Sequence, residues 1–165
     1  MMTFDLAILI AQTASVLFLA LWLTTGVYEN LFYPTINSTF TAEVVEMTRL
    51  REEYPDAYAL IAHRRITNPA TQMLLFRLVV LWEVLATLLL WAAVIVLFFT
   101  VFAVMEPAHA RTLGVLAALA FTTTWAGFLI IGNWFCYWFC HEGAQNTHFQ
   151  MTLWGLATMV LLIVG

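Results

Sequence analysis

Gly132-Asn-Trp-Phe-Cys-Tyr-Trp-Phe-Cys-His-Glu-Gly-Ala-Gln-Asn-Thr-His-Phe-Gln150 lies where one long apolar stretch of the chain ends and the next begins. The segment contains both cysteines, two of the four histidines and two of the seven tryptophans. Because apolar runs of spanning length lie on either side of it, the segment indicates a junction between two membrane helices. If the chain has a chemical site, we expect it in this segment, because reactive residue types are concentrated here.

The composition of the 165-residue chain indicates a membrane protein. It is 63% hydrophobic and 10% charged, whereas soluble domains carry roughly 25% charged residues. The formal net charge is -4 and every basic residue is an arginine. Nucleic-acid binding is therefore excluded as a function class, because it would need a basic patch. Two cysteines are also too few for a disulfide framework.

Four apolar runs predict a single all-α domain of residues 1–165, a bundle of four transmembrane helices. The predicted spans are about 4–27, 69–104, 112–140 and 147–165. Four spans place both termini on one side of the membrane, with the polar excursion 28–68 and the 132–150 junction on the other side. Asn68-Pro69 favours a helix start, since asparagine caps helices and proline suits their first position.

The polar excursion 28–68 holds six of the ten acids and four of the six arginines. Apolar residues recur through it at helical spacing, which predicts one or two short amphipathic helices on the membrane surface or across the bundle mouth. Thr41 is a candidate cap for the first helix. Pro55 breaks that helix, and Asp56 is a candidate cap for a second helix over 57–65.

Arg77 and Glu83 are ionisable residues within the second span, where each charge costs about 2.5–3.5 kcal/mol at the bilayer centre. They are six residues apart and so lie on different helix faces. We expect Arg77 to reach the interface and Glu83 to face the interior, either neutral or bonded to a tyrosine, threonine or tryptophan of a neighbouring helix. A functional interpretation is a proton relay, a quinone contact or a transport pathway. The structural alternative is a polar contact between helices, with Asn133 of the third span as a further candidate.

The two cysteines could contribute to a metal site. A helix continuing through Cys136 and Cys140 would place both thiols, with Asn133, on one face. Together with His148, and with His63 reaching over from the polar excursion, they could bind zinc or copper. The candidate metal or redox residues are Cys136, Cys140, His141, His148 and His63. Against this site, the spacing is not that of a Cys-x-x-Cys motif.

The structural alternative for this segment is an aromatic belt at the membrane interface, with polar residues capping the two helix ends. The belt residues would be Trp134, Tyr137, Trp138 and Phe139.

The positions of the histidines disfavour a haem deep in the bundle. All four histidines lie at the edges of the predicted spans, whereas a buried haem b is held by axial side chains from facing helices. A haem near the surface, between His63 and His141 or His148, is a remaining option. The chain shows no catalytic constellation or glycine-rich phosphate loop, so we expect neither an enzyme nor a cofactor.

Several short motifs resemble those of one bacterial family. They are Tyr28-Glu-Asn30, Trp82-Glu-Val-Leu-Ala-Thr87, Trp125-Ala-Gly-Phe128, Gly132-Asn-Trp-Phe135 and Gly143-Ala-Gln-Asn-Thr-His-Phe149. The chain resembles a family known only as predicted small integral membrane proteins, a domain of unknown function. The resemblance implies four spans, a bacterial inner membrane and cytoplasmic termini, but no activity. At Asn133 the family tends to have a glutamate, so no acid-based role carries over there.

The membrane orientation is left open by two opposing indications. Counting arginines places the polar excursion in the cytoplasm, whereas the resemblance places both termini there. The family tends to carry basic residues at its amino terminus and between the second and third spans. In these two regions, this chain has only His109 and Arg111.

The sequence thus favours a non-catalytic accessory or anchoring subunit of a larger membrane complex, which we expect to be a respiratory or other electron-transfer assembly. The partners would be other membrane protein subunits and lipid, and a homo-oligomer is also open. One alternative is a redox, metal- or haem-binding protein that uses the Cys136–His148 segment. The other is a small transporter or channel that uses Arg77 and Glu83.

Overall fold

A computed structural model describes residues 3–102 and 106–164, which form helices and contain no strands. The α-helices are α1 (Phe4–Phe32), α2 (Pro34–Glu46), α3 (Thr48–Glu53), α4 (Pro55–Ile61), α5 (Pro69–Val101), α6 (Pro107–Trp134) and α7 (Glu142–Val164), with 3₁₀ turns at Ala62–Arg64 and Tyr137–Phe139. Helices α1, α5, α6 and α7 are long and apolar enough to cross a membrane. The predicted all-α membrane fold with four spans is therefore confirmed.

The four spanning helices share one apolar core. Helix α6 packs along α7, α5 packs along both α1 and α6, and α1 closes the bundle. The largest fully buried apolar side chains are Val16, Leu19, Leu23, Leu90, Leu97, Phe121 and Leu162. Gly155 of α7 faces Thr122 of α6 so closely that an added Cβ would overlap the threonine hydroxyl. A small residue here lets the two helices approach closely, as membrane helix pairs require.

Polar contacts define the two ends of the bundle. At one end, the Gln12 side chain donates from Nε2 to the Leu161 carbonyl (2.9 Å) and accepts from Arg111 Nε (3.1 Å). At the other end, the Arg64 guanidinium lies 4.4 Å from the centre of the Trp134 ring. The starts of α1 and α6 thus meet the end of α7 at one end of the bundle.

The observed spans differ from the predicted bounds at several ends. Helix α1 continues to Phe32 rather than 27, because Asn30 is buried by a contact with α5. Helix α6 begins at Pro107 rather than 112 and stops at Trp134 rather than 140, because Cys136 adopts a left-handed conformation (φ 53°). Helix α7 begins at Glu142 rather than 147. The predicted ends of the second and fourth spans, Val104 and Gly165, lie outside the described residues.

The polar excursion forms three short α-helices and a 3₁₀ turn, more than the one or two helices expected. Helix α2 begins at Pro34, not at Thr41, because proline sets a helical φ at the first position. Thr41 lies inside α2 and donates its hydroxyl to the Asn37 carbonyl. Helix α4 begins at Pro55, so Asp56 lies in its first turn rather than at its cap.

The predicted start of the second span is confirmed. The Asn68 side chain accepts hydrogen bonds from the backbone N–H groups of Ala70 (2.9 Å) and Thr71 (3.3 Å), and Pro69 occupies the first helical position. These bonds satisfy two donors that a helix N-terminus otherwise leaves unpaired.

The excursion packs onto one end of the bundle through its own apolar cluster. Val45, Met47 and Leu50 pack there against Phe135 and Cys140. Two hydrogen bonds fix its last segment: Ile66 N–H donates to the Val45 carbonyl (2.9 Å), and Gln72 Nε2 donates to the Ile66 carbonyl (2.7 Å). The excursion is therefore a folded cap over the bundle end that also carries the Cys136–His148 segment.

Candidate functional site

A buried polar contact joins α1, α2 and α5. Asn30 and Glu83 are only 8% and 5% exposed, and Asn30 Nδ2 donates to Glu83 Oε2 at 2.7 Å. Asn30 Oδ1 in turn accepts from Asn37 Nδ2 at 2.7 Å, and that amide also lies 3.3 Å from Glu29 Oε2. A line of hydrogen bonds thus runs from an exposed carboxylate to a buried one.

This line of bonds fixes the corner at which α1 turns into α2. A carboxyl group inside a span is costly unless it faces the bundle interior and has a hydrogen-bond partner, and Asn30 supplies that partner. Glu83 lies in the interior as expected, but its partner is an amide rather than the expected hydroxyl, phenol or indole. Asn30 bonds both Glu83 of α5 and Asn37 of α2, so it links the three helices at this corner.

Arg77 lies away from this buried contact. Its side chain is exposed, as expected for an arginine that reaches the interface, and it lines a pocket of about 340 Å³ between α5 and the α1–α2 corner. Among the described residues, Arg77 has no hydrogen-bond or ion-pair partner. Arg77 and Glu83 therefore do not form a pair. Asn133, the other polar candidate, is exposed near the end of α6.

The prediction that Cys136 and Cys140 share a helix face is wrong. Helix α6 ends before Cys136, whose left-handed backbone reverses the chain into the 3₁₀ turn Tyr137–Phe139. Both cysteines are free thiols, and both pack in the apolar cluster of the excursion. Burial raises the pKa of the Cys140 thiol, and the Glu53 carboxylate raises it further while Arg49 lowers it. A raised pKa disfavours the thiolate that a metal ion needs.

The candidate histidines lie in three different surroundings. His141 is 7% exposed, and its Nε2 lies 3.7 Å from Glu43 Oε1. Burial lowers the pKa of His141, which the Glu43 carboxylate partly offsets. His63 is exposed in the Ala62–Arg64 turn.

His148 lies among aromatic rings instead. The centres of the Trp125, Phe128 and Tyr137 rings are 5.6, 4.9 and 6.1 Å from that of its imidazole. The Tyr137 hydroxyl lies 3.5 Å from His148 Nδ1.

These positions bear on the metal and haem hypotheses. Across residues 3–102 and 106–164, no group of three or more His, Cys, Asp or Glu side chains is arranged to hold a metal ion. His141 and the cysteines face the excursion, whereas His148 faces the aromatic rings of α6 and the turn. The hypotheses therefore gain no support from where these side chains lie.

Sequence reasoning missed Asn30 and Asn37 as functional positions. The predicted first span ends at about 27, so Asn30 falls in the polar excursion, and nothing in the sequence pattern singles out Asn37. A usable signal was present: an acid deep in one span requires a polar partner on another. Asn30 directly follows the apolar run of α1, so it was available for that role.

Comparisons with known proteins give one match. A family model described as "Predicted small integral membrane protein (DUF2165)" matches residues 8–164. No curated protein and no solved structure matches the chain.

Proposed function

Because the chain belongs to this family of predicted small integral membrane proteins, we propose that it is a non-catalytic accessory or anchoring subunit of a larger membrane complex. Its membrane character follows from the family and from the four apolar helices. We place the protein in the bacterial cytoplasmic membrane, and we propose that the complex is an electron-transfer assembly.

The observation that carries this proposal is how the polar side chains inside the spans are used. Asn30 bonds Glu83 across α1 and α5. Two indole N–H groups bond threonine hydroxyls across helices, Trp82 to Thr124 (3.1 Å) and Trp91 to Thr24 (2.9 Å). Such bonds join helices in a membrane. Because these groups pair with one another across helices, they support a structural role.

Helix α7 offers the most open surface for a partner. Only 17% of its most apolar window is buried, against 33–39% for the other three spans, since α7 packs chiefly along α6. Its outward face carries exposed Leu153, Leu156 and Val160. Asn146 and Gln150 are exposed near its start, and amide side chains hydrogen-bond between membrane helices. A further span can therefore add to the bundle along α7.

Site-specific photo-crosslinking tests the proposal. A photoreactive amino acid is placed at Leu156 of α7 and, as a matched control, at Leu88 of α5; both side chains are exposed, at 44% and 62%. We expect crosslinks from 156 to another membrane polypeptide and from 88 to lipid alone. Crosslinks to lipid alone from both positions would refute a subunit contact on α7. Crosslinks from 156 to a second copy alone would identify a homo-oligomer instead.

The nature of the complex is tested by native mass spectrometry of the protein extracted from its own membranes in mild detergent. A stable assembly with larger subunits that carry redox centres, and no added mass on this chain, is the expected result. A lone chain with the added mass of a metal or haem would overturn the proposal and favour the Cys136–His148 segment as a binding site.

A further inference from the structure

The groove beside Arg77 combines an apolar wall with polar groups. Its volume is about 340 Å³, and its wall includes Leu31, Pro34, Met73, Phe76 and Val80. Phe76 and Val80 are buried and form the floor, whereas Leu31 and Met73 are exposed at the rim. An apolar groove open to the membrane can accommodate part of an acyl chain.

Three polar side chains of the groove can donate to an anion, and the fourth, Asn30, is already paired with Glu83 and Asn37. Arg77 contributes an exposed guanidinium, and Thr35 and Ser38 contribute hydroxyls. Among the described residues, no acid lines the groove: Glu83 accepts a hydrogen bond from Asn30, and Glu29 accepts one from Asn37. A guanidinium binds phosphate through paired N–H donors. The charge of the groove therefore complements a phosphate group.

The position of the groove matches the level of lipid headgroups. It lies where α1 ends and α2 begins, and Tyr28, Phe32 and Tyr33 cluster at this corner with ring centres 4.7 and 6.3 Å from Tyr28. All three rings are exposed, and exposed tyrosines mark the boundary between hydrocarbon and headgroups. An arginine at this depth meets the phosphate layer.

We propose that this groove is a binding site for a membrane phospholipid, with the Arg77 guanidinium and the Ser38 hydroxyl on the phosphate and an acyl chain along Met73, Phe76 and Val80. The ligand is defined by an anionic phosphate joined to an apolar chain. Arg77 thereby acquires the counter-charge that the described part of the protein does not provide, and the α1–α2 corner is tied to the lipid as well as to α5.

The test is lipid binding to the purified full-length protein in detergent, followed by native mass spectrometry. Dioleoylphosphatidylglycerol is titrated into the wild type, Arg77→Gln and the matched control Arg51→Gln, which removes an exposed arginine of α3 outside the groove. Arg77→Gln removes the charged donor to the phosphate, so it should weaken binding at least about tenfold. Arg51→Gln should bind like the wild type.

Two further ligands test whether binding needs both the phosphate and the acyl chains. Dioleoylglycerol has the same chains without phosphate, and it should not be retained. Inorganic phosphate should not displace the lipid, because it lacks the chain that occupies the apolar wall. Equal weakening by both arginine variants, equal retention of dioleoylglycerol, or displacement by inorganic phosphate would each overturn the proposal.

A second variant covers the case in which Arg77→Gln does not fold. Met73 is exposed at the groove rim, so Met73→Trp should fill the groove without disturbing the core or any charge. It should abolish retention of the phospholipid, and unchanged retention would place the lipid elsewhere.

Discussion

The Asn30–Glu83 contact and the Cys136–His148 segment accommodate their buried polar side chains in different ways. Asn30 and Glu83 lie 53 residues apart in the chain and bond directly at 2.7 Å. Cys140, His141 and His148 lie close together in the chain, yet Cys140 and His141 pack against the excursion whereas His148 packs against aromatic rings. One region is held by hydrogen bonds, the other by packing. Reactive residues that are neighbours in sequence therefore need not converge, whereas a lone acid within a span must find a partner.

The largest expected effect comes from disturbing the packing of Gly132 in α6 against the 3₁₀ turn Tyr137–Phe139. A Cβ at Gly132 would lie 2.6 Å from the Tyr137 ring, whereas one at Gly127 would meet nothing within 4 Å. Gly132→Ala should therefore destabilise the protein by about 1–3 kcal/mol, the usual cost of overpacking. Unfolding by titration with a denaturing detergent, followed through helix content, measures this change.

The matched control is Gly127→Ala in the same helix. It should leave stability unchanged or raise it by up to about 1 kcal/mol, because alanine is the better helix former. Equal effects of the two substitutions would show that packing against Tyr137 does not hold the turn.

A smaller effect is expected from removing the acceptor of the buried hydrogen bond. Glu83→Leu leaves the Asn30 amide without its partner inside the bundle, and polar contacts between membrane helices contribute about 1 kcal/mol. Glu83→Gln retains an acceptor for Asn30, so it should cost less than Glu83→Leu in the same unfolding experiment. If Glu83→Gln lost as much stability as Glu83→Leu, the charge rather than the hydrogen bond would matter.

The next prediction concerns how the free energy of unfolding depends on pH through His141. Burial lowers the pKa of His141 below its ordinary value of 6.5. The Arg49 guanidinium lowers this pKa further, whereas the Glu43 and Glu53 carboxylates raise it. Well above pH 6.5 the imidazole is neutral in the folded and unfolded states, so it adds no pH dependence there. As the pH falls below 6.5, the unfolded chain binds the proton more readily, and the free energy of unfolding should fall.

Unfolding titrations of the wild type, His141→Gln and His63→Gln at several pH values between 7.5 and 5 test this prediction. His141→Gln should flatten the decline, while His63→Gln, a change at an exposed position, should keep it. A decline that persists unchanged in His141→Gln would assign the pH dependence to other groups.

How far the sequence predicted this fold depends on whether the determining contacts were local. The start of α5 was predicted correctly because Asn68 and Pro69 act on the next few residues. The continuation of α6 through Cys136 was wrong, since a left-handed cysteine has no local signature such as glycine. The turn is set by long-range packing of Phe135 and Cys140 against the excursion.

The candidate site follows the same division. The cost of an acid in a span predicted that Glu83 lies in the interior, because that cost depends on the residue alone. Its partner Asn30 could not be derived in this way, because the pairing depends on how α1 and α5 align. The metal hypothesis rested on a helix face that exists only if α6 continues, and so the early end of α6 removes its geometric basis.

The smallest expected effect is a difference in labelling rate between Cys136 and Cys140. Cys140 is buried, and burial raises the pKa of its thiol, whereas Cys136 is only half-buried. A maleimide should therefore label the lone Cys136 of Cys140→Ala faster than the lone Cys140 of Cys136→Ala, because the thiolate is the reacting form. Equal, metal-dependent protection of both thiols would instead indicate a shared ligand site. A membrane-impermeant maleimide on intact cells also reports orientation, since only thiols on the outer side of the membrane react.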